Sequence, residues 1–105
     1  MPVVFRPWIA PYKDEDFEWD RAKSLATFAD RDLVFEAARI IFRGPVLRTR
    51  DTRRNYREAR FMVLGELYGR IMMVVYTPRN HKCPIISLRP ATAIETEIYN
   101  GYRSG

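Results

Sequence analysis

Arg70-Ile71-Met72-Met73-Val74-Val75-Tyr76-Thr77 is the stretch that decides the fold. Its unbroken apolar centre reads as a strand covered on both faces, and therefore as the middle of a sheet. The turn-like Gly65-Glu66-Leu67-Tyr68-Gly69 precedes it, and a second turn over residues 78–82 follows. Working outward, residues 59–64 and 85–89 read as the flanking strands. Residues 46–50 read as another, set off by the polar segment 51–56. Consecutive strands with short turns imply an antiparallel meander of about four main strands.

Upstream of the meander the period is helical. Ala22, Leu25, Ala26 and Ala29 follow Asp20, a good N-cap, and predict a first helix ended by Asp30-Arg31-Asp32. A second helix is predicted over residues 34–42, with Phe35, Ala38 and Phe42 on one face. Arg43, Gly44 and Pro45 stop it. After the sheet, Thr92 and Glu95 form a capping box that opens a C-terminal helix to about Tyr102. Ile94 and Ile98 are expected to be its buried stripe. Phe17-Glu18-Trp19 reads as a short strand before the first helix. The expected fold is α+β: a small antiparallel sheet with two N-terminal helices and one C-terminal helix. Residues 1–16, with Pro2, Pro7 and Pro11 and the acidic run Asp14-Glu15-Asp16, read as an arm anchored by Trp8 and Ile9. Residues 17–105 read as one domain.

The net charge is +5, carried by fifteen arginines and three lysines. It is unevenly placed. Residues 1–38 have a balance of −3, residues 39–60 one of +6, and the remainder one of +2. A dense arginine segment fits a polyanion, because the planar guanidinium binds phosphate oxygens in pairs and stacks on bases. The single cysteine, Cys83, cannot form an internal disulfide and suits a cytoplasmic setting. The longest apolar stretch is too short to span a bilayer, and residues 1–10 lack the pattern of a signal peptide.

Several segments, in order, resemble the BrnT family. They are Phe17-Glu18-Trp19-Asp20 with Lys23, and Phe35-Glu36-Ala37-Ala38 through Phe42. Arg60, Gly65 and Gly69-Arg70, then Val74-Val75-Tyr76-Thr77, follow. Ile85-Ile86-Ser87, Arg89, Ala91-Thr92, Glu95 and Tyr99 close the set. The resemblance covers about residues 17–102. It implies a RelE-like fold, a ribonuclease toxin that cleaves RNA without metal or other cofactor, and a cognate antitoxin as partner. It leaves room for a homodimer within a toxin–antitoxin complex. Two places depart from the family pattern. The usual Lys-His-Gly between its first two helices is Asp30-Arg31-Asp32 here, and its Arg-Lys-Ala is Arg89-Pro90-Ala91.

RNA cleavage of this kind needs a base for the 2′-OH, an acid for the 5′-oxygen and positive charge for the phosphorane. Alternation puts Arg60, Arg70 and Arg89 on faces that converge if their strands align, so they are the candidate phosphate ligands. Arg70 and Arg89 are expected to be catalytic, with Tyr99 as acid or stacking platform and Lys23 on the first helix. Arg60, Arg79 and His81 are expected RNA contacts; His81, the single histidine, lies in a turn. The structural alternatives are solvated strand ends, or pairing with Glu58, Glu66 and Glu95, and for Tyr99 packing on the sheet. No metal-ligand spacing is visible. Two functions therefore compete: an endoribonuclease toxin, and a non-catalytic relative that only binds an antitoxin or RNA. A DNA-binding regulator is disfavoured, since no helix-turn-helix with a basic recognition helix is visible.

Overall fold

The computed structural model describes residues 4–19 and 31–104. In chain order its elements are β1 (Arg6–Trp8), a 3-10 turn (Asp14–Asp16), β2 (Phe17–Trp19), α1 (Arg31–Arg43), β3 (Val46–Arg50), β4 (Phe61–Leu67), β5 (Arg70–Tyr76), β6 (Cys83–Pro90) and α2 (Ala93–Ser104). The sheet has six strands in the order β1-β3-β4-β5-β6-β2.

β4 and β5 form the central hairpin, paired from Phe61↔Tyr76 to Leu67↔Arg70. Only Tyr68 and Gly69 connect them, with φ of 49° and 83°. Positive φ at both positions is what a right-twisted two-residue hairpin requires. From Ile71 to Tyr76, β5 is apolar because both its faces are covered. Met72, Val74 and Tyr76 join the core beneath α1, with Val63, Cys83 and Ile85. Met73 and Val75 join the core beneath α2, with Leu47, Leu64 and Tyr99. In α1, Val34, Ala37, Ala38, Ile41 and Phe42 are all buried, the spacing of one helical face. Gly44 ends the helix, its N–H donating to the Ile41 carbonyl at 3.3 Å.

The expectation of a four-stranded antiparallel sheet is corrected to six strands and mixed pairing. One added strand is β1, which pairs antiparallel with β3. Pro7 is tolerated there because β1 lies at an edge. The other is β2, the short strand expected at Phe17–Trp19, which joins the sheet by running parallel to β6 at the opposite edge. The helix expected over residues 22–29 lies outside the described residues, and two helices are present among those described. Arg31 and Asp32 belong to α1 instead of breaking a helix before it. On α2 the expected stripe is reversed: Ile94 and Ile98 are 71% and 39% exposed, whereas Tyr99 is 1% exposed. Within residues 1–16, Trp8 stacks on Tyr76 with ring centroids 5.8 Å apart, but Ile9 is exposed.

A β-bulge in β6 matters for the site. Val75 pairs with Ser87 and Tyr76 with Ile85, so Ile86 is an extra residue. A bulge of this kind resets the side-to-side alternation of the strand. Ile85 therefore joins the α1 core, whereas Arg89, opposite Met73, lies on the α2 face.

At Gly65 α1 lies tight against the sheet. A Cβ there would stand 2.6 Å from Ile41 Cγ2 and 3.0 Å from Val46 Cγ1. Both are methyls of β-branched residues with little rotamer freedom. Gly65→Ala is expected to cost about 1–3 kcal/mol, seen as a Tm lowered by roughly 5–20 °C; an unchanged melt would contradict this packing.

Candidate nucleic-acid interface

The arginine-rich stretch begins on β3. Alternation sends Val46, Arg48 and Arg50 to the α1 side of the sheet, and Val46 is buried there. Arg48 pairs in register with Arg6 of β1, so Arg6 faces the same way. Three arginines thus share one face across two adjacent strands. They line a groove of about 350 Å³ together with Trp8 and Phe61, and among the described residues no carboxylate lines it. Like charges directly opposite on neighbouring strands repel. Among the described residues no acidic side chain bonds to these three to offset that.

Arg48 is held rigidly. Its guanidinium carbon lies 4.3 Å from the Trp8 ring centre and 4.4 Å from that of Phe61. It donates from Nη1 to the Tyr76 hydroxyl at 3.0 Å. Tyr76 is fully buried and stacks on Trp8 and Phe61 at 5.8 and 5.5 Å. Burial pushes its phenol pKa far up, so it stays neutral. The remaining N–H groups of the half-buried Arg48 are not bonded to any described residue, which makes it a fixed donor beside the groove.

The loop between β3 and β4 carries more arginine, and two of these side chains are engaged internally. Buried Asp51 accepts from Arg53 through its backbone N–H at 3.2 Å, Nε at 2.8 Å and Nη2 at 2.7 Å. The Tyr56 hydroxyl adds a bond at 3.3 Å. These contacts, Arg53 foremost, hold the Asp51 carboxyl below the usual carboxylate range. The Arg60 guanidinium lies 4.0 Å from the Tyr56 ring centre. Arg54 and Arg57 are exposed.

The side chains expected to form a site do not converge. Arg70 is exposed at the β4–β5 turn on the α1 side, whereas Arg89 is on the opposite face because of the bulge. Arg60 precedes Phe61, at the far end of the hairpin from Arg70. Arg79 pairs with Glu58 at 3.0 and 3.2 Å. His81 is exposed in the β5–β6 turn, with φ of 64°. Tyr99 is buried, its hydroxyl donating to the Pro45 carbonyl at 2.7 Å, and burial raises its pKa. Lys23 lies outside the described residues. The acidic arm residues Asp14 and Asp16 pair with Arg43 and Lys82, not with the groove arginines. Sequence reading missed Arg6, Trp8, Arg48, Arg50 and Phe61. The available signal was alternation along β3, which places Arg48 and Arg50 together.

Among the described residues, no cluster of three or more His, Cys, Asp or Glu side chains could hold a metal ion. No helix among them is long and apolar enough to cross a membrane. A family model described as the ribonuclease toxin BrnT of type II toxin–antitoxin systems matches residues 19–95, well over half the chain. The chain belongs to the BrnT ribonuclease-toxin family. No curated protein and no solved structure matches it. Membership implies an antitoxin protein as partner. The matched region contains Arg48, Arg50 and Phe61, while Arg6 and Trp8 precede it.

Arg89 has a structural partner. Glu95 accepts from its Nη1 at 2.8 Å and Nη2 at 3.0 Å, and from the Thr92 N–H at 2.8 Å. The Thr92 hydroxyl accepts the Glu95 N–H at 3.2 Å, which completes the expected capping box. Arg89 first, then Thr92, lowers the Glu95 pKa from 4.5 to about 2. A lowered folded-state pKa gives stability that is present above about pH 4.5 and lost as pH falls toward 2. Glu95→Gln is expected to cost about 1–2 kcal/mol at pH 7. In urea melts across pH, that gap should shrink through the same window; a gap independent of pH would refute the pairing.

Proposed function

We propose that this chain is an endoribonuclease toxin that holds the RNA phosphate backbone in the Arg6–Arg48–Arg50 groove. The observation that carries this reading is three arginines on one sheet face with no carboxylate in the groove among the described residues. The family supplies the reaction class. The proposed reaction needs no metal: the 2′-oxygen bonds to the adjacent phosphorus, the P–O5′ bond breaks, and the 2′-OH proton ends on the 5′-oxygen. Arg48 is suited to stabilise the phosphorane, because stacking and the Tyr76 hydroxyl fix its fork before substrate arrives. Arginine cannot shuttle the proton, since its pKa is above ~12. Trp8 and Phe61 border the groove and offer ring edges to unpaired bases. Arg70 and His81, exposed at opposite ends of the hairpins, serve as outlying RNA contacts in this reading.

A second reading is an RNA-binding relative without catalysis. It is favoured by the groove lining, which offers no side chain that titrates near neutral pH. The test is expression of the chain without its antitoxin, followed by cleavage assays on purified protein in chelator. Growth arrest with fragmented RNA supports the enzyme; full growth with RNA bound but intact supports the second reading. Arg50→Ala and Arg48→Lys are each expected to lower cleavage at least about 10-fold, the scale of one lost charge-assisted phosphate contact. Arg50→Ala should also reduce the salt slope of binding by about 0.7. Undiminished cleavage in both variants would remove the groove from the mechanism.

A further inference from the structure

α2 presents a surface that the groove does not use. Ile94, Ile98 and Tyr102 recur every four residues and form one stripe, 71%, 39% and 42% exposed. Gly101 lies beside this stripe, and a Cβ there would meet nothing within 4 Å. Tyr99 is the one buried residue of the helix, packed against the sheet, so the apolar row of the helix faces outward. Single exposed apolar residues are ordinary, but a contiguous row on a small basic protein marks a docking surface.

The row continues beyond the helix. Tyr102 lines a cleft of about 670 Å³ with Ile9, Trp8, Phe42 and Pro45. Ile9 is 91% exposed. Trp8 lines both this cleft and the arginine groove, so a chain seated in the cleft reaches the groove beside Arg6 and Arg48. That continuity selects the occupant. A second copy, also of net charge +5, would set one unpaired arginine groove near another. A partner with apolar anchors followed by carboxylates satisfies both parts of the surface.

We propose that the antitoxin docks on the outer stripe of α2 and in the cleft, and that its flanking carboxylates enter the arginine groove where RNA would bind. The docking half stands on the stripe and cleft alone; only the competition with RNA rests on the function proposed above.

The experiment uses the full chain co-expressed and purified with its antitoxin, the product of the reading frame adjoining its own. Hydrogen exchange of the complex should show protection over residues 94–102 and 7–10. Ile98→Glu, at an exposed position, should weaken the complex at least 100-fold while keeping the melting point and RNA cleavage of the free chain. Arg50→Ala should weaken the complex about 10-fold, more at low salt than at high. The docking proposal is overturned if α2 exchanges equally in free and bound chain with Ile98→Glu binding normally. It is also overturned if light scattering shows that Ile98→Glu turns a dimer of the free chain into a monomer. RNA cleavage by the free chain is scored separately, so its absence sinks the ribonuclease reading and leaves the docking result to stand or fall by itself.

Discussion

The Arg48 guanidinium, set between Trp8 and Phe61 and bonded to the Tyr76 hydroxyl, is the interaction on which the functional face depends. A half-buried cation needs compensation, and here it comes from ring faces and a hydroxyl instead of a carboxylate. Guanidinium is weakly hydrated and stacks well, so arginine tolerates this and lysine would not do so equally. Each cation–π contact contributes about 0.5–2 kcal/mol, according to how far it is desolvated. Burial fixes the Tyr76 hydroxyl within the sheet, where its oxygen accepts from Arg48. The same ring stack holds Trp8, and with it β1, against the edge of β3. One cluster therefore fixes an edge strand and leaves a positive charge without an acidic partner among the described residues.

Such a charge has a cost that structure alone does not recover. Arg6 and Arg48 stand opposite each other in register, an arrangement that costs stability in a free protein. Elsewhere in the chain the same chemistry is neutralised: Arg53 by Asp51, Arg79 by Glu58, Arg89 by Glu95. The contrast separates structural arginines from those left available, which a charge count along the sequence cannot do. A bound phosphate backbone or an acidic partner segment would relieve the repulsion at the groove. Ligand binding and local stability are then linked, since whatever fills the groove favours the β1–β3 edge.

The sequence made β3 legible residue for residue, because the Gly44-Pro45 stop and the polar segment 51–56 bound it, and β5 nearly so, because a buried strand leaves a continuous apolar run between turn signals. The Thr92–Glu95 box was also legible, because its chemistry is local. Long-range pairing was not. β1 spans three residues, contains a proline and pairs with residues some forty positions on, so nothing local announces it. The parallel pairing of β2 with β6 is equally silent. The register was invisible too: pairing of Arg70 with Leu67 puts Arg70 on the α1 side, out of phase with Met62 and Leu64, and pairing of Arg89 with Met73, after the bulge at Ile86, puts Arg89 on the α2 side. On α2, Tyr99 and the isoleucines compete for the inward position, and the helix phase set by the Arg89–Glu95 pair and the Tyr99–Pro45 bond decided for tyrosine.

The two faces of the sheet now divide the work. On the α1 side, the rings around Tyr76 organise the arginine groove. On the α2 side, Tyr99 and the Arg89–Glu95 pair orient a helix whose outer stripe stays uncovered. Trp8 is the junction, since it borders both the groove and the cleft that extends the stripe. The family match, residues 19–95, holds the central hairpin and β3 but neither Trp8 nor Ile98 and Tyr102. The residues that complete the groove and the outer stripe thus flank the shared part of the fold. On the function proposed above, RNA and the antitoxin's apolar anchors would meet different parts of this surface. Ile98 lies outside both buried cores, so the outer stripe can change without disturbing the packing of β5, whereas Trp8 is tied to β5 by its stacking on Tyr76.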